Sequence, residues 1–341
     1  MNNILKIISS VVLACFLLVN GFCQKADFYA ARGQIKSDFK NFSGAIADFD
    51  IAIRKNPANV NSYVLRGVAK YELKKYKEAI KDLTEAIRLQ PSNSRAYFCR
   101  GRTNFELEKF KDAEADYSKL IQLNPNIAVS HYQRGIVRSN LRNYKGAIVD
   151  FTTTLRLDPD FGTAWFEMAF AKDNLNQNIE AIKDYDKAIE YDPKDSYAYK
   201  NRANCKSYLN DLKGALEDCD MAIGFDPSSP KSYFFRAEIK VSLSDYQGAI
   251  DDYSKTIELN ADDISAYIKR GLTKSTMDDF TGAIEDFSSA IKIDPNDSEA
   301  YARRGFVKHL LQDKEGSCSD FSKALELGEF KGMEMMKHFC K

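Results

Sequence analysis

A chain of 341 residues with 44% hydrophobic and 29% charged side chains is long enough for one large core or two domains, and too apolar for a disordered polyelectrolyte. Its 49 basic and 49 acidic side chains cancel, and Lys and Arg recur evenly with Asp close by. That pattern lacks the basic stripe that displaces counterions from phosphates, so nucleic acid is excluded as the expected partner.

The chain opens with a polar start containing Lys6, an unbroken apolar run from Val11 to Val19, and Gly21-Phe22-Cys23 ahead of Gln24. Small residues at Gly21 and Cys23 suit a signal peptidase, so residues 1–23 read as a signal peptide cleaved before Gln24. The mature chain is then expected to be secreted or periplasmic and not inserted in a membrane. Two alternatives stay open. An uncleaved anchor would need about 20 apolar residues, more than this run supplies. A lipoprotein site would use Val12-Leu13-Ala14-Cys15, where Leu13 is large for its position and Phe16 to Val19 would stay exposed.

From residue 26 onward the sequence repeats with a period of 34 residues. Pro57, Pro91, Pro125, Pro159, Pro193 and Pro227 share this step, and Pro295 lies two steps further on with Ala261 between. An aromatic column runs through Tyr29, Tyr63, Tyr97, His131, Trp165, Tyr199, Tyr233, Tyr267 and Tyr301. Four residues later stands Gly or Ala, from Gly33 to Gly305, and twelve later Ala, from Ala45 to Ala283, with Ser317 closing the column. Within a copy the apolar and small residues fall at helical spacing twice, as in Tyr63, Gly67 and Tyr71 and then Ala79, Leu83 and Ala86. Segments such as Lys74-Lys75-Tyr76 separate the two helices, and Pro with Asn, Asp or Ser ends the second and caps the next. Each copy is therefore expected to be a helical hairpin that cannot bury its faces alone.

An aromatic, a small residue four on, then Ala, an aromatic and Pro at fixed offsets make the chain resemble the tetratricopeptide repeat over residues 26 to about 329, with departures at Ala261, Ser317 and Glu329. The resemblance implies an all-α fold, a right-handed α-solenoid of nine hairpins at about 26–57, 60–91, 94–125, 128–159, 162–193, 196–227, 230–261, 264–295 and 298–329, followed by a capping helix over 330–341. It also implies a concave groove lined by the first helix of each repeat, where a protein or peptide partner binds. At groove positions the sequence places Phe98, Arg102, Phe105, Tyr132, Phe166, Phe170, Tyr197, Lys200, Asn204 and Phe234, with Phe306 and Tyr208 beside them. Such a stripe suits an extended or helical peptide, although about half of the rings are expected to pack as core. A carboxylate clamp of the family's kind is matched only in part. Lys200 and Asn204 fit its first pair, but Phe235, Ser265 and Lys269 replace its other members.

Two charged columns look functional and read better as structure. Arg occupies one column from Arg32 to Arg304, except at Met168, and Asp occupies another from Asp48 to Asp320, sixteen residues later. A third column, four residues after the Arg, is Lys or Arg except at Asn104. A feature repeated in nearly every copy is expected to be a ladder of charge-assisted bonds between helices. The histidines His131, His309 and His338 are scattered, and no metal-binding pair, phosphate loop or nucleophile elbow occurs. The chain is thus read as non-enzymatic, with no catalytic, cofactor or metal site and no small-molecule substrate. A structural part in a cell-envelope assembly or secretion complex, bound through solenoid ends or edges, is the alternative.

Five cysteines follow the leader. Cys318 near the start of the last second helix and Cys340 at the end of a final helix come level on antiparallel neighbours at 1.5 Å per residue, so they are expected to form a disulfide. Cys205 and Cys219 sit at less favourable phases of one hairpin.

Overall fold

The computed structural model describes residues 26–329 and Cys340, so the leader segment and the capping helix read over 330–341 lie outside the described residues, Cys340 excepted. Eighteen α-helices and no strand occur among the described residues. The chain divides into two compact units after Leu175. The first holds α1 (Ala26–Asp38), α2 (Phe42–Lys55), α3 (Val60–Glu72), α4 (Tyr76–Leu89), α5 (Ser94–Glu106), α6 (Phe110–Leu123), α7 (Ala128–Asn140), α8 (Tyr144–Leu157) and α9 (Thr163–Asp173). The second holds α10 (Asn178–Tyr191), α11 (Ser196–Tyr208), α12 (Leu212–Phe225), α13 (Pro230–Ser242), α14 (Tyr246–Leu259), α15 (Ile264–Thr276), α16 (Phe280–Ile293), α17 (Ser298–Leu310) and α18 (Lys314–Glu326). Within each unit, helices pack on their sequence neighbours to form an α-solenoid of antiparallel hairpins.

The turn inside each hairpin is three residues long, four in the fifth copy, and chemically specific. At the end of α1, Lys40 N–H donates to Ser37 O at 2.9 Å and Asn41 N–H to Lys36 O at 2.8 Å, the paired bonds that close a helix on a left-handed residue. That residue is Lys40 at φ 60°, and Lys74, Glu108 and Arg142 repeat it in the first unit as Asn210, Ser244, Asp278 and Gln312 do in the second. None is glycine, so each costs on the order of 1 kcal/mol, which the two bonds and the packing of the helices must offset.

The next residue is the N-cap of the second helix, and it covaries with the residue three further on. Where the cap is Asn or Asp (41, 143, 211, 245, 279, 313), its side chain accepts from the N–H of a glycine (44, 146, 214, 248, 282, 316). A Cβ on Gly44 would lie 2.7 Å from the Asn41 amide nitrogen, which explains the glycine. Where Lys75, Lys109 or Gln177 takes the cap there is no side-chain cap bond, and Glu78, Asp112 or Glu180 stands in the first turn, opposite in charge to the helix N-terminus.

Two columns sixteen residues apart form the core. Phe49, Leu83, Tyr117 and Phe151 in the first unit, and Tyr185, Cys219, Tyr253, Phe287 and Phe321 in the second, are all at most 1% exposed. Glycines of the facing helix make room for them: a Cβ on Gly135 would sit 2.6 Å from Phe151 Cε1, and one on Gly101 3.1 Å from Tyr117 Cζ.

One residue before each member of these columns lies the charged ladder. Arg32 grips Asp48 with Nε at 2.9 Å and Nη2 at 2.5 Å, and Lys36 Nζ approaches the same carboxylate at 2.8 Å. The arrangement recurs at Arg66, Arg134, Arg202, Arg236, Arg270 and Arg304, each joined by a cation four residues later. The free Nη1 reaches sixteen residues back to the preceding hairpin: Arg66 to Asp50 at 2.6 Å, Arg100 to Thr84 at 3.1 Å, Arg270 to Ser254 at 2.9 Å. In the fourth copy His131 is 8% exposed, with Nε2 2.9 Å from Pro125 O, so it packs as core.

Burial opposes ionisation of Asp48, but the bonds from Arg32 and Lys36 outweigh it and hold its carboxyl below the usual aspartate range. At Asp116 burial wins instead. Arg100 and Asn104 offset it only in part, and the carboxyl is raised.

Gly135→Ala is expected to destabilise the protein by about 1–3 kcal/mol through overpacking against Phe151. Gly224→Ala, with nothing within 4 Å of its Cβ, should stabilise by up to about 1 kcal/mol in the same denaturant titration. Asn104→Lys supplies the missing cation, so the Asp116 carboxyl resonance should titrate at lower pH than in the wild type. Because a raised carboxyl loses its contribution to stability as pH rises through its folded pKa, the variant should also lose less stability than the wild type over that rise.

Candidate partner-binding surface

The predicted groove residues stand on first helices of the hairpins, in two separate sets. The first unit carries Phe98, Arg102 and Phe105 on α5, Tyr132 on α7, and Phe166 and Phe170 on α9. The second carries Tyr197, Lys200 and Asn204 on α11 and Phe234 on α13.

Several of the rings serve the core as well as the surface. Phe98 meets Tyr117 edge-on at 6.1 Å, Phe105 meets Phe110 at 5.5 Å, and Phe234 meets Tyr253 at 5.5 Å. Tyr132 lies between Phe151 at 5.9 Å and Phe161 at 4.7 Å. These four are half-buried, as are Phe166, Lys200 and Asn204. Phe170 and Tyr197 are the exposed rings of the predicted set, at 37% and 63%. Phe306 at 39% and Tyr208 at 73% extend the exposed aromatic surface of the second unit.

Lys200 stands 5.5 Å from the Tyr197 ring centroid and forms no ion pair among the described residues. Burial, with the charge of Lys231 adding to it, lowers its pKa. Glu167, half-buried between Phe166 and Met168, has its carboxyl pushed up to about 7 by burial. Its charge in turn adds to the burial that raises the Tyr132 phenol.

The structure also assembles residues that the column reading passed over. Tyr71, Val68 and Arg95 join Phe98 and Arg102 around a cavity of about 230 Å³ between α3 and α5. Tyr71 lies one period before Phe105, and Arg95 three periods before Tyr197, so the columns that flagged those two residues contained the signal. No group of acidic, His and Cys side chains able to hold a metal ion occurs among the described residues, and no helix among them is long and apolar enough to cross a membrane. Cys318 and Cys340 are joined, with Cα atoms 5.7 Å apart, while Cys99, Cys205 and Cys219 are in no disulfide.

Family models described as tetratricopeptide repeat match residues 31–87, 94–127, 162–195, 184–217 and 264–297, and one described as TPR repeat matches 67–108. Among solved structures, a tetratricopeptide repeat protein from Parabacteroides merdae is similar at 22% identity over 73% of this chain and 98% of that one, with a TM-score of 0.54. Pseudomonas aeruginosa pilF is similar at 18% identity over 62% of this chain and 97% of its own, also at 0.54. The APC/C hetero-tetramer Cut9–Hcn1 supplies a third, at 15% identity over 93% and 76% with a TM-score of 0.52. Likeness at these identities is a likeness of fold. No curated protein sequence matches the chain.

The Glu167 carboxyl gives a pH test. With a folded pKa raised to about 7, its contribution to stability is complete below the ordinary carboxylate range and is lost as pH rises through 7. Glu167→Gln should therefore be more stable relative to wild type at about pH 8 than at about pH 5 in paired urea titrations.

Proposed function

Because the chain belongs to the tetratricopeptide-repeat family, we propose that it is a non-enzymatic scaffold that holds a peptide or protein partner along the first helices of its hairpins, outside the cytoplasm. The observation that carries this reading is the exposure of large rings on those helices, Phe170 at 37% and Tyr197 at 63%, beside half-buried rings that fix the surface around them. A ring whose neighbours are packed is already ordered before binding, so covering it costs little conformational entropy and removes apolar surface from water. The rings stand on helices and not on loops, which suits an extended or helical segment lying across several repeats. Solvated helix faces, caps and ladder positions account for most of the carboxylates, and the reading assigns the chain no reaction.

The extracytoplasmic part of the reading comes from the leader, where Val11 to Val19 and the small residues Gly21 and Cys23 precede Gln24. The Cys318–Cys340 bond supports it, since structural disulfides persist in oxidising compartments.

The test uses the mature chain and its Phe170→Asp/Tyr197→Asp variant, both positions being exposed enough to accept a charge. Partners captured by crosslinking on the wild-type chain are identified and then titrated against both proteins. Affinity should fall by about tenfold or more in the variant while its helical circular dichroism stays unchanged. Equal affinity would mean that the partner engages edges or ends of the solenoid, and the reading would fail.

A further inference from the structure

The cavity between α3 and α5 differs in chemistry from the rest of the first unit. Val68, Leu83 and Phe98 form apolar walls around a volume of about 230 Å³. Ligand pockets for drug-sized molecules run from about 300 Å³ upward, so this space is matched to a single side chain. Two arginines, Arg95 and Arg102, line the same cavity, and both are exposed.

These arginines lie outside the ladder. Every ladder arginine is committed to an aspartate, as Arg66 is to Asp82 and Arg100 to Asp116. Arg95 and Arg102 form no ion pair among the described residues. Arg102 is nevertheless held in place, its guanidinium 4.4 Å from the Tyr71 ring centroid and its Nε donating to the Tyr71 hydroxyl at 3.1 Å. The Tyr71 hydroxyl donates in turn to Glu106 Oε1 at 3.0 Å, one oxygen of a carboxylate that does not line the cavity. A guanidinium has five N–H donors, and stacking on a ring fixes its plane without using the donors at its edge. The terminal nitrogens of Arg102 are thus oriented and unspent.

Cys99, also at the cavity, is kept as a neutral thiol by burial, which raises its pKa against the opposing charges of Arg95 and Arg102. Glu72 is the carboxylate on the rim, exposed and in no ion pair. Among the side chains that line the cavity, two guanidinium groups stand against one carboxylate.

We propose that this cavity is an anchor site for a peptide segment in which an aromatic or branched apolar side chain stands directly beside an aspartate or glutamate, the apolar group entering between Val68, Leu83 and Phe98 and the carboxylate taken by Arg102 and Arg95. The inference rests on the peptide-holding function proposed above and names the chemistry of the segment held. Planar, bidentate recognition is what a preoriented arginine offers a carboxylate, and an apolar wall beside it removes competing water.

The test pans a displayed random peptide library on the wild-type mature chain. The enriched peptides, made with blocked ends, are then titrated by fluorescence anisotropy against wild type, Arg95→Gln/Arg102→Gln and Glu72→Gln. Circular dichroism and thermal melting establish that each variant is folded. Enrichment of apolar residues adjacent to Asp or Glu is expected, with affinity lowered about tenfold or more by the double variant, lowered by salt, and unchanged or raised by Glu72→Gln. Peptides rich in Lys or Arg that depend on Glu72, or peptides that bind only with a free C-terminal carboxylate, would overturn the assignment. Peptides that lose affinity for Phe170→Asp/Tyr197→Asp but not for Arg95→Gln/Arg102→Gln would overturn this site and leave the proposed function standing. Absence of any enrichment counts against both.

Discussion

The stack depends on one side chain that acts in two directions. A ladder arginine such as Arg66 closes its own hairpin through Asp82 and reaches back to Asp50 in the hairpin before, with the Tyr63 ring 5.5 Å from its guanidinium carbon. Such a carboxylate is nearly buried, so the pair would be costly if either partner were missing and is close to neutral when both are present. What the ladder supplies is register: it fixes which turn of one helix faces which turn of the next. The fifth copy shows that the position also accepts an apolar residue. There Met168 is 6% exposed, and the Thr152 hydroxyl lies 3.6 Å from its sulfur.

Register in turn permits the tight core. The glycine beside each ladder arginine faces the large residue beside each ladder aspartate, so one sixteen-residue offset positions the salt bridge and the close approach together. Where alanine replaces the glycine the facing residue need not shrink: Ala203 clusters with Cys219, but Ala237 clusters with Tyr253. The core pairing therefore varies from copy to copy, while the same two backbone bonds close turns such as Lys40–Asn41 and Asn210–Asp211.

The architecture was legible because its determinants are local and repeated. Tyr63, Gly67 and Ala79 declare a helical hairpin within a single copy, and the period says that neighbours cover its open faces. The exchange between Asn41 with Gly44 and Lys75 with Glu78 was legible in principle, since both members of each pair lie within one turn. The groove residues were harder. Position on a first helix predicts a direction, but exposure depends on the facing residue, and Phe98 and Tyr132 lean on Tyr117 and Phe151 while Tyr197 does not. The columns hold the members of the cavity beside Tyr71 but not their meeting, which is made between copies: Arg102 meets Tyr71 across 31 residues.

The same reasoning locates where a partner's chemistry can be read at all. A cation already held by a nearly buried aspartate has little left to offer a ligand, so the regular columns contribute shape and almost no selectivity. Selectivity falls to side chains that the repeat does not require: Arg95 and Arg102 in the first unit, and Lys200 near Lys231 in the second, none paired with a carboxylate among the described residues. Two of these stand beside an aromatic ring, Arg102 at Tyr71 and Lys200 at Tyr197, which orients the charge without neutralising it. An array built this way can change partners by substitution at a few unpaired positions while every residue that sets the fold stays fixed.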